Sequence, residues 1–231
     1  MLLTTKEPRL VPPRFVRQAI GWIAILLPAM LIAGNYLLRG CSMLQGSISH
    51  YYYTITGHWL VGILSALAMF LISYKGYNKL DSVVSSVAGF AAIFIAVFPT
   101  NRETLVPEVI NIDACILFSL PENALRSVIH YASAAVFFLA LAYISLFLFT
   151  KSRGGKTREK ILRNKVFRTC GIVIVIAIAL IAVYGIFENE FVGLKAHHPV
   201  LWLEWIALFA FGISWLVKGE FALRDHTVYG D

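Results

Sequence analysis

The chain has 231 residues, of which 58 % are hydrophobic and 14 % charged; its mean hydropathy is +0.73 and its formal net charge +7. That is far more apolar than a soluble domain of this length needs for its core, which excludes an ordinary soluble protein and leads to an all-α, polytopic membrane protein. The positive charge does not indicate a nucleic-acid partner, because the basic residues fall where a membrane protein retains them on the cytoplasmic side.

A crossing helix needs about 20 mostly apolar residues. Six stretches qualify in chain order: residues 18–38, 59–74, 83–99, 129–150, 170–187 and 199–217, the second being the shortest. The expected architecture is one six-helix bundle over residues 1–231, with no second domain and no internal repeat. Lys6, Arg9, Arg14 and Arg17 lead into a full-length first span with no A-x-A-like cleavage site behind it, so that span is expected to stay in the mature protein. Pro28 falls inside it as a candidate kink, and Asn35 near its far end is a polar group able to face the bundle.

The first translocated loop, residues 39–58, carries GSISHYYYTITGHW. Tyr51, Tyr52, Tyr53 and Trp59 there fit an interfacial aromatic belt, while Ser47 and His50 stand out as site candidates. Spans two and three are joined by the short KGYNKLD, which makes them a tight hairpin. The second translocated loop, residues 100–128, is apolar enough to pack on the bundle mouth, with a short helix expected from Pro121. Gly62 with Ala66, Ala88 with Gly89, and Ala132 to Ala135 are small residues suited to close helix contacts. Between spans four and five, KSRGGKTREKILRNKVFR, residues 151–168, reads as a juxtamembrane basic loop, with Gly154 and Gly155 breaking it before a short surface helix. Its second role would be contact with anionic lipid head groups.

Sixteen of the twenty lysines and arginines fall on one side of this scheme and four, Arg39, Arg102, Arg126 and Lys195, on the other. Both termini are therefore expected in the cytoplasm, in the plasma membrane, or in the inner membrane of a bacterium. Cys41 and Cys115 share the translocated side and can pair if that compartment is oxidising, whereas Cys170 lies at the cytoplasmic end of span five.

Polar chemistry collects on the translocated side. Five of the six histidines lie there, with Ser47, Ser49, Asn101, Arg102, Glu103, Asp113, Glu188 and Glu190. His50, His130, His197 and His198 with Glu188 include the three or four ligands that zinc would need, although no HExxH or His-x-His spacing supports a metal. Glu204 lies about five residues into span six, about 7 Å below its end. An ionisable group at that depth is by default functional, the structural alternative being a hydrogen bond to Asn35, Ser133 or His130. Paired with His130, Glu204 would supply general acid and base for lipid hydrolysis or acyl transfer; without turnover, the same groups would bind a lipid amine or phosphate.

Ser47-Ile48-Ser49, Ala88-Gly89 with Phe98-Pro99, His130 with Ala132, Phe137 and Phe138, and Glu204-Trp205 occur in this order on the spans. In this the chain resembles the Frag1/DRAM/Sfk1 group and related bacterial six-helix membrane families. The resemblance implies a six-helix fold with cytoplasmic termini and a role tied to membrane lipids. The chain departs from the eukaryotic pattern at SISHYYYT, where that group tends to have Thr-Gly and a downstream Pro-Glu, so no catalytic residue is carried over. The expected function is a pocket for a lipid head group, lined by Ser47, His50, Asn101, Arg102, His130, Glu188, His198 and Glu204, in a lipid-organising or sensing role. Arg102 would meet a phosphate. The alternative is a membrane-embedded hydrolase or acyltransferase using His130 and Glu204, with or without zinc. An ion or proton path is the least favoured reading. Membrane lipids are the expected partners, and an oligomer is compatible with the sequence.

Overall fold

The structure, a computed structural model, describes residues 12–76, 78–101, 115–151 and 157–223. Six long helices make up most of them: α1 (Pro13–Arg39), α2 (Gly57–Ser73), α3 (Lys79–Val97), α4 (Ala124–Tyr143), α5 (Arg158–Ile186) and α6 (Pro199–Lys218). Among the described residues there is no strand, only an isolated bridge between Thr54 and Ile116. Five helices are long and apolar enough to cross a membrane, α4 counting with the wide π turn Ile144–Leu148 that continues it. The sixth, α2, has 17 residues and reaches about 26 Å, a little short of the hydrocarbon thickness of about 30 Å.

Each helix packs on its neighbours in sequence, and α6 returns to α1, closing a ring of six. The α1/α6 contact is close because glycines face each other: a Cβ on Gly21 would lie 2.9 Å from the Gly212 carbonyl, and one on Gly212 would lie 2.7 Å from the Gly21 carbonyl. Without a hydrophobic drive between helices in lipid, such backbone approach is what makes packing favourable. Gly89 plays the same part between α3 and α2, where its Cβ would sit 2.6 Å from Ile72 Cγ1. Gly62 does not, since nothing lies within 4 Å of that position. Ala132 and Ala135 are likewise on the exposed face of α4, so the small residues there are not a packing seam.

Large apolar side chains such as Met30, Met69, Phe90, Leu139, Ile176 and Ile206 point outward, whereas Leu31, Leu67, Phe137, Ile174, Phe211 and Trp215 are fully or nearly fully buried. An apolar exterior around an equally apolar core is what a lipid solvent requires.

Several boundaries differ from the sequence reading. Helix α1 starts five residues ahead of the expected span, at Pro13, and has Pro28 inside it. The stretch after Pro121 is not a separate helix: Asn123 caps α4, its side chain accepting the N–H of Arg126 at 3.0 Å. Nor is the basic stretch from Arg158 a surface helix separate from α5. Thr157 accepts the N–H of Lys160 at 3.1 Å, and one helix of 29 residues carries the basic residues Arg158 to Arg168 straight into the apolar run. The expected break at Gly154 and Gly155 lies outside the described residues.

The ring has two unlike ends. The starts of α1, α3 and α5 meet the ends of α2, α4 and α6, where Arg17, Lys151, Lys160, Arg163 and Lys218 gather; this is the basic end. The opposite end carries the disulfide joining Cys41 to Cys115, with Cα atoms 5.6 Å apart.

Candidate functional site

The disulfide end is organised around the short 3-10 helix Ser49–Tyr53 that links α1 to α2. Its entry is held from three directions. Ser47 Oγ accepts the backbone N–H of His50 at 3.2 Å, closing a local turn. The Ile48 N–H donates to Glu204 Oε2 at 2.7 Å, and the Leu201 N–H donates to the Gly46 carbonyl at 3.1 Å, so residues 46–48 are clamped to the first turns of α6. The exit is held by Thr54 and Thr56, whose hydroxyls lie 3.0 Å apart, with Thr56 Oγ1 reaching the Leu31 carbonyl at 3.3 Å.

The tyrosines do not form the expected belt. Tyr51 and Tyr53 are buried at 1 % and 0 % exposure. Tyr53 donates its hydroxyl hydrogen to the Thr100 carbonyl at 2.6 Å, while Tyr51 Oη accepts from the Gln45 N–H at 3.5 Å. Burial pushes the Tyr51 phenol up to about 12 and raises Tyr53 as well, Arg126 opposing the latter. Phe118 packs on the rings of Tyr52 and Tyr53, and the Leu117 N–H donates to the Tyr53 carbonyl, which draws residues 115–118 over the same turn.

The His50 side chain bonds the backbone of Asn101, and burial pushes its imidazole down to about 4, so it is neutral at ordinary pH. His130, 3 % exposed on α4, places Nδ1 2.8 Å from the Phe98 carbonyl and lies within electrostatic reach of His50. A carbonyl can only accept, so Nδ1 carries the hydrogen in the neutral ring and Nε2 is its acceptor.

Beside them runs a network in which the sequence reading gave Arg126 no role beyond orientation. Its guanidinium donates to the Pro99 carbonyl at 3.0 Å and, at 2.9 Å each, to the Pro121 carbonyl and Asn101 Oδ1. Asn101 Oδ1 also accepts the Asn123 N–H at 3.0 Å, and the Asn101 N–H donates to Ser127 Oγ at 3.1 Å. Thr100 Oγ1 donates to Tyr131 Oη at 2.9 Å. The available signal was spacing: Arg126 precedes His130 by four residues, one helical turn, on the same face.

Of the sequence candidates, Ser47, His50, Asn101, His130 and Glu204 therefore gather around residues 46–51. Glu204 is bonded neither to Asn35 nor to Ser133 nor to His130; its partner is the Ile48 backbone, and its second oxygen makes no hydrogen bond among the described residues. Asn35 is 1 % exposed at this end of α1, and neither atom of its amide has a hydrogen-bond partner among the described residues. His198 begins α6 in a left-handed conformation, φ 49°, just before Pro199. His197 is exposed, as is His58. Glu188 forms an ion pair with Lys195 across the α5/α6 connection. Arg102 lies outside the described residues, as do Glu103 and Asp113.

Among the described residues no group of three or more histidine, cysteine, aspartate or glutamate side chains is gathered closely enough to hold a metal ion. The set His50, His130, His197, His198 and Glu188 is thus dispersed, with His50 and His130 tied to backbone groups and Glu188 paired to Lys195.

No family model, no curated protein and no solved structure matches the chain.

Proposed function

We propose that the protein is a six-span membrane protein that binds a lipid head group at its disulfide end, in a lipid-organising or sensing role. The observation that carries this reading is the carboxylate of Glu204. It sits on a helix of crossing length, spends one oxygen on the Ile48 N–H, and keeps the other unbonded beside a turn that also carries His50. A carboxylate at that depth is costly unless something is gained from its charge. With the neutral His50 nearby, the chemistry favours an amine-bearing head group, the ammonium on Glu204 and polar donors around it.

The orientation follows from two independent arguments. Basic residues crowd one end, which supports a cytoplasmic position for it, and a disulfide at the other end suits an oxidising compartment. Both termini are then cytoplasmic and the membrane is the plasma membrane or its bacterial counterpart. The short α2 is accommodated by local thinning of the bilayer.

The test is lipid analysis of the purified full chain beside Glu204→Gln. Glutamine keeps an oxygen to accept the Ile48 N–H, so the fold survives while the charge is lost. Co-purified aminolipid should fall by about tenfold, the value of one charge-assisted contact. An unchanged lipid profile in a folded variant would refute the reading.

The second reading, a hydrolase or acyltransferase, is favoured by the tautomer of His130, whose Nε2 is left as an acceptor and hence a base. It requires Glu204 and His130 to act on one substrate without touching each other. Turnover of a lipid ester that disappears in both Glu204→Gln and His130→Gln would support it over simple binding.

A further inference from the structure

Helices α4 and α5 pack unevenly along their length. In the half toward the basic end the fit is close: a Cβ on Gly171 of α5 would lie 2.6 Å from Leu146 Cδ2, in the π turn that continues α4. Ala142, four residues before Leu146 and so on the same flank of α4, is 2 % exposed. In the half toward the disulfide end that flank is bare. Ala135 and Val128 lie seven and fourteen residues before Ala142, close to two and four helical turns, and both are exposed, Val128 at 61 %.

The facing side of α5 behaves in the same way. Its buried residues are Phe167, Cys170, Gly171, Ile174 and Ala177, and none follows Ala177 although the helix continues to Ile186. Ala182, eleven residues or about three turns beyond Gly171, is exposed. A Cβ on Gly185, almost one turn further, would meet nothing within 4 Å among the described residues. The two helices therefore part toward the disulfide end, while α4 keeps its packing on α3 and α5 its packing on α6.

The parting is closed on its basic side. Ser145 Oγ and Ser214 Oγ, both fully buried, lie 3.0 Å apart and join α4 to α6 there. On α6, Glu204, Phe211 and Trp215 share one face at spacings of seven and four residues. The two aromatics are 0 % exposed and Glu204 is half-buried, so the middle of the ring is shut at Phe211 and opens at Glu204. From the start of α4 to Ala135 is eleven residues, about 16 Å, half of a hydrocarbon thickness of about 30 Å. The opening thus spans one leaflet and stops.

We propose that a lipid of the leaflet at the disulfide end inserts one acyl chain between α4 and α5, flanked by Ala135 and Ala182, and so brings its head group to Glu204 from the side. Length selects this occupant. A spanning helix of a second copy would run the full thickness of the membrane, whereas the bare flanks end halfway, where Leu146 meets Gly171. An acyl chain is as long as the leaflet that it fills. The lining agrees, since Val128, Ala135, Ala182 and Gly185 carry no polar side chain and three of the four are small. The inference rests on the head-group reading of Glu204 for the direction in which the lipid points, and on the parted helices for the place of its chain.

The experiment is native mass spectrometry of the full chain, purified in a mild detergent and titrated with dioleoyl phosphatidylethanolamine. Wild type is compared with Ala135→Trp, Ala182→Trp, Glu204→Gln and Gly62→Trp. The first two fill the cleft from exposed positions and should fold, and either one suffices if the other does not. Gly62→Trp adds the same bulk to the exposed flank of α2, where nothing lies within 4 Å. Ala135→Trp and Ala182→Trp should lower lipid retention about tenfold, the equivalent of displacing about two methylene groups, and Gly62→Trp should leave it unchanged. Loss in the cleft variants with none in Glu204→Gln would support the chain site and refute the head-group reading. Loss in Glu204→Gln with none in the cleft variants would keep that reading and overturn the proposal. Equal loss in Gly62→Trp, no lipid on wild type, or a wild-type dimer that Ala135→Trp splits would overturn it as well.

Discussion

The two ends of the bundle solve the problem of polar groups at a membrane surface in opposite ways. At the disulfide end, polar side chains are largely consumed by the backbone: Arg126 by two carbonyls and Asn101, His130 by Phe98, Tyr53 by Thr100, Ser47 by the His50 N–H. Such a network pins three connections to each other and leaves a few groups, chiefly Glu204 and Asn35, with bonding capacity in hand. At the basic end the groups are charged and mostly cationic, with ion pairs from Lys151 to Asp81 and from Arg14 to Glu220, and Arg17 and Lys218 are laid on aromatic faces. The first arrangement gives rigidity and the second gives field strength, so substitutions of similar size should have unlike consequences at the two ends.

The largest expected effect is at the disulfide end. Cys41→Ser should lower stability by about 2–5 kcal/mol, read as the loss in thermal midpoint relative to wild type, because the bridge closes a long loop. Breaking the Asp81–Lys151 pair with Asp81→Asn should cost about 3 kcal/mol, because the buried carboxylate is the anion of that pair. Arg126→Gln should cost about 2 kcal/mol, since Asn101, Pro99 and Pro121 lose a shared donor.

A further effect depends on pH. The folded state holds His50 near 4, below its ordinary 6.5, so on acidification the unfolded chain takes up this proton first. Stability from this source is complete above about pH 6.5 and is lost as pH falls toward 4, by up to about 3 kcal/mol. Thermal midpoints measured across that window should fall less steeply in His50→Gln, and identical slopes would remove His50 from the account.

What the sequence discloses and what it hides follows the same division. The six apolar runs correspond to six helices because apolar length is a property of composition, and the clustering of lysines and arginines at one end is visible by counting. Helix ends are less legible: Asn123 and Thr157 are caps, which move the starts of α4 and α5 several residues ahead of the apolar runs. The site is legible as a list of residues on one side, not as a geometry. The partner of Glu204 is a backbone N–H at Ile48, and every residue but proline offers one, so no side-chain pattern announces it. The tyrosines mislead for a related reason, since an aromatic run beside a span suits an interface and a buried turn equally well until Thr100 supplies the acceptor for Tyr53. Arg126 was hidden by its charge, which counts toward orientation whatever it binds.

Everything proposed for the two ends presupposes that they face different compartments. In a Cys170→Ser background, which removes the buried free thiol, single cysteines at Glu190 and Arg158 would report the two ends from exposed positions. A membrane-impermeant maleimide applied to intact cells should label Glu190→Cys at once and Arg158→Cys only after permeabilisation. Labelling of Arg158→Cys in intact cells, or of both alike, would contradict the account.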